Sequence, residues 1–291
     1  MKRTPFLVLF LLLTHTMAFG QTGEGLRVFV SVDMEGITGV VNVDDARRTG
    51  KDYDYFRQTM TKEANAAIEG ALAAGATDII VRDSHGSALN LLPEMLHRSS
   101  RLIRDWSGGP LYMVEGIDDT YDAVIFVGYH AKAGTPDGVL DHTSSGNVTD
   151  VSVNGISMPE AGYNALFAGH HDVPVVFVAG DKAVCAQAKE LLGQVETVAV
   201  KEGIGAAALN LHPAAARERI QAGVERALRN LDQYNPYKLS PPYELVLTLK
   251  SEQSVHEGSF YPGAKRTGDW ELTYVAEDVM ELLSAYTGMR R

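Results

Sequence analysis

A single cysteine stands among the 291 residues, which excludes an internal disulfide and leaves no thiolate cluster to hold a structural zinc. Cys185 lies in Ala183-Val184-Cys185-Ala186, the setting of a small buried helix residue and not of a nucleophile. Positive charge is also scarce. The 26 Lys and Arg face 37 Asp and Glu, a net charge of −11, so nucleic acid and anionic membrane surfaces make poor partners. Long apolar runs are missing too, and the stretch from Phe6 to Leu13 is too short to anchor in a bilayer. Set between Lys2-Arg3 and Ala18-Phe19-Gly20, it reads as a secretory signal peptide over residues 1–20, with no nearby cysteine to carry a lipid. Losing its two cations takes the net charge from −11 to −13. The remainder is expected to be periplasmic or secreted, with no membrane attachment after cleavage. Lacking disulfides, it must rely on its core, and about 270 residues suffice for one large domain or two unequal ones.

What is present alternates between strands and helices. Val28-Phe29-Val30, Asp78 to Val81, Ala123 to Val127 and Val173 to Val178 are short, apolar and rich in β-branched residues, as strands buried on both faces are. Between the first two, Phe56, Met60, Ala64, Ala67, Ile68 and Ala71 recur at helical spacing and predict a helix over about 53–74. Further helices fill 158–171 and 182–192. The fold class is therefore α/β, a largely parallel sheet flanked by helices. Pro213 opens another helix, with Ile220, Val224, Leu228 and Leu231 on one face. After it, Glu244 to Leu249 and Trp270 to Val275 alternate as half-buried strands, and Val279 to Leu283 lie on a last helix. These suggest a catalytic domain over 21–202 and a smaller C-terminal α+β portion over 203–291.

Polar residues gather where these strands end. The first runs into Ser31-Val32-Asp33-Met34-Glu35-Gly36, the second into Arg82-Asp83-Ser84-His85, the third into Gly128-Tyr129-His130, the fourth into Ala179-Gly180-Asp181. Open α/β sheets bind ligands beyond the carboxyl ends of their strands. Asp33 and Glu35, two apart on a strand, would project side by side, and two buried carboxylates repel unless a cation lies between them. Asp, Glu and His together suit zinc or a comparable transition metal. The Gly/Pro-rich loop Gly134 to His142 follows, where His142 is a candidate acid, base or oxyanion donor. Glu160 locally reads as the far end of a capping box begun by Ser157. Asn147-Val148-Thr149 matches a glycosylation sequon. The loop Ser259 to Gly268 is a candidate wall of a substrate cleft.

Ser31 to Gly36, Asp83-Ser84-His85, Gly128-Tyr129-His130-Ala131 and Pro159-Glu160-Ala161-Gly162-Tyr163-Asn164-Ala165 together resemble the zinc-dependent D-aminopeptidase family of binuclear metallopeptidases. The resemblance runs from about Arg27 to Thr287. It departs before His142, where the loop is one residue longer near Asp137 and Asp141-His142-Thr143 replaces a more neutral Ser-His-Ser. It implies two zinc ions per chain, with Asp33 shared between them, Glu35 and His85 completing one site, and His130 and Glu160 completing the other. His142 then stands beside the metals as the catalytic residue. The capping reading of Glu160 gives way. Three carboxylates against two Zn²⁺ leave residual positive charge, which would draw the pKa of a water toward neutrality. The expected function is release of N-terminal, D-configured amino acids from short peptides by a homo-oligomeric enzyme. Two rivals carry the same ligand set: another metal-dependent hydrolase, such as an amidase or phosphoesterase, and a non-catalytic exported peptide-binding protein.

Overall fold

The structure, a computed structural model, describes residues 25–290; the expected signal segment lies outside the described residues. In chain order the elements are β1 (Leu26–Val32), α1 (Val43–Ala46), α2 (Tyr53–Ala73), β2 (Ala76–Asp83), β3 (Ser100–Ile103), β4 (Ala123–Tyr129), β5 (Val148–Val153), β6 (Ile156–Ser157), α3 (Glu160–His170) and β7 (Val175–Asp181). They continue with α4 (Lys182–Leu192), β8 (Glu196–Ile204), β9 (Ala207–Asn210), α5 (Pro213–Leu228), β10 (Tyr243–Leu249), α6 (Glu252–Gly258), β11 (Lys265–Arg266), β12 (Glu271–Ala276) and α7 (Val279–Met289).

Seven strands form the main sheet in the order β3-β2-β1-β4-β7-β8-β9, parallel throughout except for β9. The chain builds outward from β1 to β3, then returns to the other side of β1 with β4. The strand order therefore reverses between β1 and β4, which opens a crevice beyond their carboxyl ends. The pleat splits the apolar residues of β1 between two cores. Val28, Val30 and Val32 face α2 and α5, whereas Phe29 lies in a second core with α3, α4 and α7. Helices α2 and α5 pack so closely that a Cβ on Gly70 would stand 2.4 Å from the Gln221 carbonyl.

A second, antiparallel sheet runs β11-β12-β10-β5-β6 and shares the core that holds Phe29. Its composition does not follow the division anticipated at residue 203. Strands β8 and β9 carry the main sheet on to Asn210, and α5 covers the same sheet face as α2 because Ile220, Val224 and Leu228 are apolar on one side. Conversely β5 and β6, from the first half of the chain, pair with the C-terminal strand β10. The sequon asparagine, Asn147, sits just before β5 and donates its side-chain amide to Ser254 Oγ.

Candidate metal centre

The crevice at the reversal point collects the acids and imidazoles. Asp33 is the first residue past β1, and its N–H still bonds the Val127 carbonyl of β4 at 2.8 Å. Glu35 is not on the strand. It lies in the turn that follows, where Gly36 N–H bonds the Gly128 carbonyl at 2.7 Å. Glycine is needed there, since a Cβ on Gly36 would stand 1.9 Å from the Tyr129 carbonyl. Gly128, at φ +72°, takes up the left-handed conformation where the register between β4 and β7 slips. His130 follows two residues later. So the two carboxylates converge through a tight turn, not through the pleat anticipated from their spacing.

Donor atoms of Asp33, Glu35 and His130 all lie within 4.8 Å of one another, and so do those of His130, His142 and Glu160. His85 joins the first group, with Nδ1 2.9 Å from Glu35 Oε2 and 3.3 Å from Asp33 Oδ1. On the other side, His130 Nε2 stands 3.5 Å from Asp33 Oδ2 and 3.6 Å from Glu160 Oε1. His142 Nε2 is 3.7 Å from the same Glu160 oxygen, its ring stacked on His130 at 4.0 Å between centroids. His130 belongs to both donor groups, and Asp33 faces His85 through Oδ1 and His130 through Oδ2.

Each histidine has one nitrogen pinned by the backbone. His85 Nε2 meets the Ala46 carbonyl at 2.9 Å, His130 Nδ1 the Ala131 carbonyl at 2.9 Å and His142 Nδ1 the Leu140 carbonyl at 3.0 Å. A carbonyl only accepts, so each pinned nitrogen donates its proton, and the other is aimed at carboxylates. Imidazole ligands of metal ions are oriented by the same arrangement. Acceptors facing acceptors repel unless a cation lies between them. At His85 a proton can serve: burial opposes its charge, but Glu35 and Asp33 outweigh burial and push its pKa well above the ordinary value. At His130 burial and then the neighbouring His142 lower the pKa, and the buried Nε2 has no hydrogen-bond partner. Burial and the Glu35 charge drive Asp33 well upward, so a divalent cation would relieve both groups. Two imidazoles and three carboxylates, with no thiolate, suit zinc or a related ion.

The other strand-end carboxylates serve different ends. Asp83 accepts from Asn90 N at 2.6 Å and Leu91 N at 2.7 Å, bracing the loop that carries His85. Asp181 caps α4 through Val184 N and holds Val139 N, both at 2.9 Å, which fastens the His142 loop. The capping box expected at Ser157 is absent. Pro159 occupies the N-cap without a side-chain bond, Ser157 Oγ turns to Asp150 and Lys132, and Glu160 accepts from Ser144 N at 2.6 Å. Arg290, from the end of α7, donates to Ser144 Oγ and lies 4.3 Å above the Tyr112 ring. A cavity of about 650 Å³ opens against the cluster, lined by Glu35, His85 and His142 among others. Residues 259–268 take no part in its wall.

Sequence reading overlooked what holds the Glu35 turn. Lys201 of β8, only 3% exposed, donates its three ammonium protons to the carbonyls of Glu35, Ile37 and Val40. Glu63 of α2 accepts from Thr38 N at 3.1 Å, and Asn210 accepts from Gly39 N at 2.9 Å. Burial pulls Lys201 down to about 8 and pushes Glu63 up to about 7. A signal was available: Glu63 falls at helical spacing on the buried stripe with Met60 and Ala67. Replacing Lys201 by methionine leaves the Glu35 and Val40 carbonyls without a donor, at roughly 1–3 kcal/mol each, while Ile37 keeps the Val40 N–H, and removal of a buried charge offsets part of the loss. Lys201→Met is expected to lower unfolding stability by about 3 kcal/mol. A parent-like midpoint in chemical denaturation would show that the ammonium does not hold this turn.

Comparison with known proteins places this geometry among relatives. A family model, Peptidase_M55, described as D-aminopeptidase, matches residues 26–287. The D-aminopeptidase of Bacillus subtilis strain 168 is 38% identical over 269 residues, covering 89% of this chain and 95% of the relative. Among solved structures, the Zn-dependent D-aminopeptidase DppA from Bacillus subtilis, described as a self-compartmentalizing protease, superposes with a TM-score of 0.88. It is 34% identical and covers 91% of this chain and 96% of its own.

Proposed function

The chain belongs to the Peptidase_M55 family of D-aminopeptidases, and from that premise we propose that it removes N-terminal D-amino acids from short peptides at a centre of two zinc ions. It is an enzyme, a metallopeptidase of the hydrolase class. The zinc dependence of the solved relative supports the choice of metal. Asp33 would be the shared ligand, with Glu35 and His85 holding one ion and His130 and Glu160 the other. The observation that carries this reading is the set of imidazoles pinned by carbonyls and aimed at buried carboxylates.

When bound, the ions supply Lewis acidity, polarising the scissile carbonyl and drawing down the pKa of a water. The chain's own groups do the rest. Asp141, whose Oδ2 accepts from Gly134 N and Thr135 N, lines the cavity as a carboxylate suited to a substrate ammonium. His142 presents Nε2, because Nδ1 is committed to the Leu140 carbonyl. In the metal-free chain burial disfavours charge on His142, but Glu160 and Glu35 more than compensate and raise its pKa. With Nδ1 committed, Nε2 is the nitrogen placed to carry a proton to the developing oxyanion or to the leaving amine as the C–N bond breaks. Neither rival, a phosphoesterase or amidase or a non-catalytic binding protein, is favoured by the relatives. The segment 1–20 supports export to the periplasm or beyond, and no helix among the described residues is long and apolar enough to cross a membrane. The description of the solved relative as self-compartmentalizing supports a homo-oligomer.

The test is elemental. Purified without chelator, the protein is expected to carry about two zinc ions per chain, as two ligand groups around one shared carboxylate require. Chelation should abolish hydrolysis of D-Ala-D-Ala, and zinc should restore it. A preparation free of bound transition metal, or one that splits L-Ala-L-Ala as fast as its D-counterpart, would sink the metal centre or the chirality respectively.

A further inference from the structure

The lining of the cavity carries two arginines beside the metal ligands, which is unexpected in so acidic a chain. Arg47 and Arg48 follow α1 and line the same cavity as Glu35, His85 and His142. Among the described residues, neither guanidinium has a carboxylate within salt-bridge distance; the ion pairs of the described chain lie elsewhere. The nearby acid Asp45 is already committed, accepting from Val41 N at 3.0 Å and Asn42 N at 2.8 Å. The position of the pair is fixed through the site itself. His85 Nε2 donates to the Ala46 carbonyl, and Arg47 begins one peptide bond beyond that carbonyl. An extended chain advances about 3.3–3.6 Å per residue, and a peptide of two or three residues is of a size that a cavity of about 650 Å³ holds, with the ligand cluster and both arginines in its lining. The apolar Val43 and Leu140 line the same cavity. A guanidinium is planar and matches a carboxylate with two parallel hydrogen bonds.

We propose that Arg47 and Arg48 bind the C-terminal carboxylate of the substrate, so that the cavity selects di- and tripeptides with a free C-terminus. This rests on the peptidase reading above and adds the device that sets peptide length. A dipeptide thus meets acid and metal at its amino end and guanidinium at its carboxyl end. Blocking that carboxylate removes the second contact without touching the first.

The experiment compares D-Ala-D-Ala with its C-terminal amide, using zinc-loaded parent and the Arg47→Gln/Arg48→Gln double variant. The parent is expected to prefer the acid by roughly 10–100-fold in kcat/KM, the range of one charge-assisted contact. In the variant the acid-to-amide ratio should fall to about one, the loss entering through KM, and Arg47→Lys/Arg48→Lys should recover part of it. The variant must bind as much zinc as the parent, a readout that reports whether the ligand cluster has stayed intact. A parent that hydrolyses acid and amide equally, or a variant whose acid-to-amide ratio matches the parent's, overturns the carboxylate site and leaves the peptidase reading standing. A zinc-loaded parent inactive on both substrates overturns the peptidase reading and this site with it.

Discussion

Asp33→Asn is expected to bring turnover down by on the order of 10³-fold or more, and to do so more completely than Glu35→Gln. Asp33 faces His85 through one oxygen and His130 through the other, at 3.3 and 3.5 Å, so in the proposed two-zinc centre both sites would lose a ligand when its charge goes. Glu35 would serve one site only. Metal-supplied charge stabilisation is worth several kcal/mol in a transition state, and each 1.36 kcal/mol is tenfold in rate. Zinc content should fall below one per chain in Asp33→Asn and stay near one in Glu35→Gln. Equal residual activity and equal metal retention in the two variants would show that Asp33 is not shared. The metal-free proteins should rank the other way. Burial and the Glu35 charge raise the Asp33 pKa well above its usual range, so the carboxylate is a burden without a cation. Metal-stripped Asp33→Asn should therefore resist denaturant better than metal-stripped parent, the usual exchange of stability for function at a site.

For His142→Ala the expected loss is in kcat, roughly 10²–10⁴-fold, the range of a positioned proton donor or oxyanion partner. KM should move little, since the contact is made mainly in the transition state. The geometry also sets His142 Nε2 among donors within 4.8 Å, together with His130 and Glu160, which makes metal content the deciding measurement. If both zinc ions remain while kcat falls, the residue acts on the reaction. Zinc lost in step with activity makes it a ligand, and parent-like turnover removes it from the mechanism.

How far the chain could be read from its letters followed the range of the forces involved. Strands β1, β2, β4 and β7 announce themselves because burial on both faces demands unbroken apolar runs, and the ends of such strands are where an α/β sheet keeps its chemistry. Local rules failed where partners are distant. Ser157 and Glu160 have the spacing of a capping box, yet Asp150, Lys132 and Ser144 claim them instead. The pleat argument for Asp33 and Glu35 gave a correct meeting by an incorrect route, since the strand stops at Val32. Nothing near Lys201 foretells that its ammonium closes a turn 161 to 166 residues away. The same holds for β5, whose partner β10 lies about a hundred residues on, so that a division at 203 looked natural in sequence.

That last pairing sets an order of assembly. After laying down β5 and β6, the chain goes back to add β7, β8 and β9 to the main sheet, and only then supplies β10. Until it does, β5 and β6 are a lone hairpin, and such pairs hold poorly in water. The segment that carries His142 and Ser144 is then tethered firmly at one end, and Arg290, which meets Ser144, follows β10 in the chain. The chain can gather Asp33, Glu35, His85 and His130 early, from neighbouring parallel strands, while the Ser144 segment beside Glu160 waits for β10 and α7. Distant contacts form slowly because loop closure must precede their reward. In pulse-labelled hydrogen exchange during refolding, the amides of β5 and β10 should gain protection after those of β1 and β4; simultaneous protection would mean that the two halves of the centre are born together.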